Sequence, residues 1–229
     1  MTAMNDYPGK KFLATVRSGD YAHAGEEEAI ELVLMGLQKN PSQRILDVGA
    51  GRGGTAAYIQ ENGWGKVVGV DIESESIAYA KEKYPAVEFH VLDACNVGST
   101  FPAQFDVIVL FNVFYAIQEK QNAMNSFRQA AKPGAHLLLF DYFSYDPTQF
   151  PKEILSSGPS TLNEFETMFE AASWKVEKEL DLDQDYIRWY CEFLARFDKP
   201  ELKNAYDDNV INDVRVKYLA LLDSLEKKV

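Results

Sequence analysis

Three aspartates recur at matching places along the chain. Asp47 lies in "RILDV", Asp71 ends "KVVGVD" and Asp93 follows "VEFHVL", so each sits at or beside the end of a short apolar run. The first is followed at once by Gly49, Gly51 and Gly54 in "ILDVGAGRGG". A G-x-G-x-x-G turn presents backbone amides at the start of a helix to an anion, commonly a dinucleotide pyrophosphate. Asp47 argues against that anion here. A carboxylate beside two phosphate charges, with no cation to compensate, is repelled in a partly desolvated site.

A phosphate-free nucleoside with a cationic tail fits the same residues better. S-adenosyl-L-methionine carries a carboxylate, an ammonium and a sulfonium, so a glycine turn suits its methionine end and Asp47 suits its cations. Asp71 could accept both ribose hydroxyls, a role that nicotinamide enzymes share. Asp93 could accept from the adenine amine, and the Ala94 amide could bind a ring nitrogen. "FDVIVLFNV" puts Phe111 and Asn112 at the end of a fourth apolar run, where the methyl group would lie. The expected cofactor is therefore S-adenosyl-L-methionine, with S-adenosyl-L-homocysteine as product.

The acceptor pocket is expected between the N-terminal segment and the stretch after the fifth run, among Tyr7, Tyr21, Phe114, Tyr115, Tyr142, Phe143, Tyr145, Trp189 and Tyr190. Aromatic faces stabilise an ammonium by about 0.5–2 kcal/mol per good contact. Tyr7, Tyr21, Tyr115 and Tyr142 are the better candidates, because strand mouths and lids face a site, and His23 lies in the same lid segment. His23, His90, His136, Cys95 and Cys191 lack metal-ligand spacing, so no metal is expected.

Composition narrows the class. The 229 residues are 46% hydrophobic and 25% charged, ordinary for a globular enzyme. The net charge of −12 disfavours nucleic acid. No apolar run is long enough to span a membrane, and the start lacks a signal-peptide core. Two isolated cysteines point to a reducing, cytoplasmic location. Residues 153–229 carry 17 acidic against 10 basic side chains, which serves solubility or draws in a cation.

The elements that must position these residues alternate. Continuous apolar runs at 44–48, 66–70, 87–92, 106–111 and 136–140 read as strands buried on both faces. Helix-like stretches at 53–62, 74–83 and 120–131 lie between them, so the expectation is a doubly wound, mostly parallel α/β sheet. A helix is expected at 26–38 before the first strand, and Lys132-Pro133-Gly134 is expected to stop the helix before the fifth. A capping box at Thr161–Glu164 opens a further helix, alternation predicts a sixth strand at 174–180, and 184–197 and 213–227 read as helices. Residues 1–40 form a helical lid, 41–150 the cofactor core and 151–229 the rest of the core with cap helices.

From about Arg44 to Tyr142 the chain resembles a class I S-adenosylmethionine-dependent methyltransferase of Rossmann-like fold. Within that class it is similar to the small-molecule branch of phosphoethanolamine and related amine N-methyltransferases. "SGDYAHAGEEEAI" resembles their lid, and "FDYFSYD" followed by "TLNEFETMFEAASWKVEKELD" keeps their order. The resemblance implies that Asp47, Gly49 and Gly51 hold the methionine part, Asp71 and Ile72 the ribose and adenine, and Asp93 and Ala94 the adenine. It matches Tyr7 to a catalytic tyrosine and puts Asn112 where the group often has aspartate. The group's catalytic histidine falls on Ala116, beside Tyr115. Arg188 is the nearest counterpart of a phosphate-gripping arginine, and His23-Ala24-Gly25-Glu26 departs from the lid's Ser-x-Gly-Gly. The resemblance implies an antiparallel seventh strand, whereas "LALLDSLEKKV" still reads as helix, so either the sheet has six strands or the sequence is truncated.

A neutral amine attacks a sulfonium methyl without a strong base, so the absent histidine weighs more against an alcohol or phenol acceptor. The expectation is methylation of a small amine. A small carboxylate or hydroxyl acceptor, or a non-catalytic S-adenosylmethionine-binding protein, stays open. The partner is a small molecule, and the protein is a monomer or homodimer.

Overall fold

The computed structural model describes residues 6–144 and 160–227. Five parallel strands form its sheet: β1 (Arg44–Val48), β2 (Lys66–Asp71), β3 (Glu88–Val91), β4 (Phe105–Phe111) and β5 (Ala131–Phe140). They stand side by side in the order β3-β2-β1-β4-β5. The chain reverses direction across the sheet between β1 and β4, which opens a crevice at the carboxyl ends of the strands.

Alternate strand residues serve two cores. Ile45, Val67, Val107 and Val109 point to one face, packed by α1 (Tyr7–Arg17), α2 (Glu26–Leu34), α3 (Gly54–Glu61), α4 (Ser74–Lys83) and α8 (Asp183–Ala195). Leu46, Val68, Val70, Ile108 and Leu110 point to the other, covered by α5 (Val97–Thr100), α6 (Lys120–Ala130) and α7 (Leu162–Ala171). The doubly wound architecture expected from the alternation of runs is what the chain adopts.

The N-terminal helix α1, expected to belong to a lid, has defined ends. Asp6 caps α1 by accepting from the Gly9 amide at 2.8 Å, and Ser18 ends it in the left-handed region at φ 58°. Phe12 seats the helix on Phe197 and Tyr206, with ring centroids 5.8 and 4.9 Å away. After α8 the chain forms α9 (Pro200–Ala205) and α10 (Asp208–Lys227), whose Tyr218 packs 4.4 Å from Phe193 of α8.

Two expectations fail. Residues 174–180 are not a strand, and among the described residues the sheet stops at β5. Trp174 is drawn to α6, where Arg128 lies 5.3 Å over its ring, while Val176 and Leu180 stay about half exposed and face no partner strand. Lys132-Pro133-Gly134 does not separate helix from strand either. α6 ends at Ala130, and β5 begins at once, with Ala131 opposite Phe105 and a register shift before His136 meets Val107. Tyr145, also expected at the pocket, lies outside the described residues.

Gly49 begins the turn after β1 at φ +76°, and a Cβ there would clash with a methyl of Val113. Gly63 has the same φ with open space around it. Gly49→Ala should therefore lower the unfolding free energy by about 2–3 kcal/mol and Gly63→Ala by about 1 kcal/mol. Urea denaturation of both variants checks this, and equal losses would mean that contact with Val113 costs nothing.

Candidate cofactor and acceptor site

One side chain and one backbone carbonyl hold the glycine turn to the end of β2. Asp71 Oδ2 accepts the Gly51 amide at 2.8 Å, and Oδ1 accepts the Glu73 amide at 2.9 Å. Gly49 and Ala50 both donate to the Val70 carbonyl, at 2.8 and 2.9 Å. The Gly51 amide is thus already spent on a carboxylate and does not add to an anion cradle. Beneath the turn, Asp47 is buried and its Oδ2 has no hydrogen-bond partner among the described residues. Burial, with Asp71 nearby, pushes the Asp47 carboxyl up to about 7.

A cavity of about 300 Å³ opens over this turn at the carboxyl ends of β1, β2 and β4. Gly49, Asp71, Ile72, Asp93, Ala94, Phe111, Asn112, Tyr115 and Tyr142 all line it. Asp93 caps a short 3₁₀ turn by accepting the Cys95 amide at 2.7 Å, which fixes Asp93 and Ala94 at the rim. Ile72 is 72% exposed, an apolar shelf beside the Asp71 carboxyl.

At the mouth of β4, Asn112 takes the left-handed region at φ 52°, which asparagine tolerates. Its Oδ1 accepts the Ala24 amide at 3.4 Å and its Nδ2 donates to the Tyr186 hydroxyl at 2.8 Å, so it joins lid and cap. The next turn is organised by a residue that sequence reasoning missed. Asp141 accepts amides of Phe114 at 2.6 Å, Tyr115 at 3.3 Å and Tyr142 at 2.8 Å. Burial pushes its carboxyl up to about 7, against the pull of these amides.

One end of the cavity is phenolic. Tyr115 and Tyr142 lie 5.6 Å apart, the Tyr142 and Tyr190 hydroxyls are hydrogen-bonded, and Tyr218 lines the same wall from α10. Burial raises the Tyr142 and Tyr190 phenols well above their ordinary value, so both stay protonated. Lys217 also lines the cavity, with Nζ 3.0 Å from Asp213. Tyr186, Tyr218 and Lys217 come from elements distant in the chain, and no local motif marks them.

The other predicted residues stand away from the lining. Tyr7 starts α1, its ring 5.4 Å from the Arg52 guanidinium. The Tyr21 hydroxyl donates to Glu27 at 3.1 Å, and burial raises its phenol. His23 is buried between Phe111 and the start of α3, with Nδ1 on the Ala24 carbonyl at 2.9 Å and Nε2 on the Thr55 hydroxyl at 3.0 Å. Burial pushes its imidazole down to about 3, so it is neutral and ties the segment before α2 to α3. Arg188 lies on the outer face in ion pairs with Glu28, Asp185 and Glu192, and the structure does not bring it to the cavity.

Sequence reasoning also missed the clamp on the lid. Asp20 accepts from Arg52 Nε at 2.8 Å, the Tyr84 hydroxyl at 2.8 Å and the Tyr79 hydroxyl at 3.2 Å. Arg52 belongs to the glycine turn itself and stacks 3.5 Å over the Tyr79 ring. The Asp20 carbonyl lies 2.6 Å from where a Cβ on Gly54 would be, which explains the third glycine.

Comparison with known proteins agrees with this arrangement. A family profile described as a methyltransferase domain matches residues 21–206. The chain is 38% identical over 129 residues to the phosphoethanolamine N-methyltransferase of Triticum aestivum, covering 54% of this chain and 25% of that protein. It is 28% identical over 207 residues to the cyclopropane-fatty-acyl-phospholipid synthase of Escherichia coli K12, covering 84% of this chain and 52% of that one. Phosphoethanolamine N-methyltransferase 2 of Haemonchus contortus, solved with S-adenosyl-L-methionine, superposes with a TM-score of 0.86 at 22% identity, over 98% of this chain and 55% of that chain. The chain thus spans about a quarter of the length of the plant relatives it matches. With the profile covering most of the chain and the glycine turn, carboxylates and strand order at its centre, the protein belongs to the methyltransferase domain family.

Proposed function

We propose that the protein is an S-adenosyl-L-methionine-dependent methyltransferase acting on the nitrogen of a small amine that also bears an anionic group. One observation carries the cofactor half: Asp47, Asp71 and Asp93 occur at successive strand tips around a turn whose Gly51 amide is already taken by Asp71. Such a site suits a nucleoside without phosphates. The residues fit the cofactor, since the unpartnered, buried Asp47 Oδ2 offers an acceptor beneath the turn that would hold the cationic methionine end. When bound, the cofactor supplies an electrophilic methyl on a sulfonium. Asp71 would hold the ribose, and Asp93 with the Ala94 amide the adenine. The free thiols of Cys95 and Cys191 support a reducing, cytoplasmic setting.

The acceptor half rests on the phenolic end of the cavity. Phenol rings and Asn112 Oδ1 suit an amine, and Lys217 in the same wall suits an anionic group on that amine. The relatives named for phosphoethanolamine support this substrate class. Tyr115 and Asn112 would orient the nitrogen, while Tyr7, Tyr21 and His23 would serve by closing the lid. The direct test incubates the protein with labelled methyl donor and amines, aminophosphates, amino acids, organic acids, alcohols and an unsaturated phospholipid. Label is expected on the zwitterionic amines; label only on carboxylates, hydroxyls or acyl chains would overturn the nitrogen assignment.

Asn112→Ala should lower kcat at least tenfold on the accepted amine while the affinity for S-adenosyl-L-homocysteine stays within about threefold. An unchanged kcat would remove Asn112 from the acceptor site. Lys217→Met should raise KM for an anionic amine about tenfold and leave an uncharged amine unaffected; equal effects on both would refute the anionic contact.

The Asp47 carboxyl gives a pH signature. Its folded value of about 7 lies above the ordinary 3.8, so its stabilising contribution is complete below 3.8 and is lost as pH rises through about 7. A cation settling beside it favours the charged form. Binding of S-adenosyl-L-homocysteine near pH 6 should therefore release a proton, and affinity should rise toward pH 7. Calorimetry in buffers of different ionisation enthalpy measures the release, which Asp47→Asn should abolish; no release by the wild type would discard the contact.

A further inference from the structure

The carboxylate proposed for the ribose is already heavily used. Asp71 Oδ1 accepts from the Glu73 amide, and Oδ2 accepts from the Gly51 amide and from Lys10 Nζ at 3.0 Å. A carboxylate offers about four acceptor positions, so about one remains, whereas a ribose diol presents two donors. One partner must leave for both hydroxyls to bind. The two amides belong to the turn and to the end of β2, which the sheet holds in place. Lys10 alone is a long side chain from another element, the lid helix α1.

Lys10 has a second position within reach. Its Nζ lies 3.3 Å from Glu73 Oε2, and the Tyr7 amide at the start of α1 donates to Glu73 Oε1. The Lys10 side chain is only 10% exposed and Asp71 6%, so their attraction is weakly screened by solvent. The Lys10 stem also lies 3.6 Å from where a Cβ on Gly51 would be, directly over the turn.

We infer that Lys10 is the gatekeeper of the ribose position: it pairs with Asp71 before the nucleoside binds, yields to the ribose diol, and then rests on Glu73. The inference deepens the proposed function and rests on this cavity taking the nucleoside of S-adenosyl-L-methionine. Lid and cofactor are coupled by this transfer. Glu73 keeps α1 over the cavity after Asp71 has been surrendered, so the lid need not open for the ribose to be held. The cost is affinity, because each binding event breaks one buried ion pair.

Calorimetric titration of S-adenosyl-L-homocysteine into the full chain tests this without relying on turnover. Lys10→Met should bind about tenfold more tightly than wild type, equivalent to about 1.4 kcal/mol. Lys10→Arg, which keeps the charge, should stay within about threefold of wild type. Glu73→Gln removes the second position and should weaken binding severalfold, and adding Lys10→Met to it should restore the tight value. Damage to the lid could only weaken binding, so a gain is a readout that a purely structural role would not give. Wild-type binding with Lys10→Met unchanged or weaker overturns the inference alone. No binding by the wild type overturns the inference together with the cofactor reading beneath it.

Discussion

The hydrogen bond from the Gly51 amide to Asp71 ties together two parts of the chain that form separately, the turn after β1 and the end of β2. In a nucleotide-binding turn the amides at the helix start remain available to an external anion. Here one of them is satisfied internally, by the carboxyl group of Asp71. Asp47 adds a second carboxyl below. Burial and the neighbouring Asp71 carboxyl both raise the cost of ionising Asp47, which displaces it upward. A carboxylate in this position favours a cation, and α1 supplies one in Lys10, 3.0 Å from Asp71.

How much of this was readable from sequence follows from the range of each interaction. Gly49, Asp71, Asp93 and Asn112 act through their own strand ends, and the apolar runs locate those ends to within a residue or two. Their grouping at one cavity follows from parallel strands sharing a carboxyl edge. Asp141, Asp20, Arg52 and Lys10 act across the fold. Lys10 and Asp71 are separated by 61 residues, and nothing in "YPGKKF" distinguishes the lysine that reaches the site from its neighbour. Arg188 shows the opposite error: Asp185 and Glu192 stand at helical spacing from it on α8, a local sign of surface pairing, and only Glu28 reaches it from a distant element. The alternation at 174–180 misled because it describes a surface stretch anchored by Trp174 just as well as a strand.

The lid is held by neutral and ionic contacts of different kinds. His23 and Thr55 are buried and uncharged across the ordinary pH range, so they fix position without responding to pH. The Asp20–Arg52 pair is about nine-tenths buried on both sides and braced by two tyrosine hydroxyls, so its carboxylate is well satisfied. Removing one partner of such a pair costs far more than the pair contributes in net terms, because a charge is left behind without a counterpart. The N-terminal segment is therefore held firmly near Gly54 by His23 and Asp20, while the contact of Lys10 with Asp71 is the one proposed to exchange.

Proton movement limits what the phenolic end could do under the proposed reading. Burial holds Tyr142 and Tyr190 protonated, so neither serves as a base, and Asn112 has no proton-accepting charge. What these groups offer is orientation. Asn112 is fixed by the Ala24 amide on one side and the Tyr186 hydroxyl on the other, so its carbonyl direction is set before any acceptor arrives. An amine that enters unprotonated needs no more than this, since its lone pair is already free to attack. The proton shed after transfer can leave through solvent, because the resulting ammonium is strongly favoured near aromatic faces and has no need to lose it within the cavity. An alcohol would have to be deprotonated inside, and Tyr142, Tyr190 and Asn112 do not take that proton.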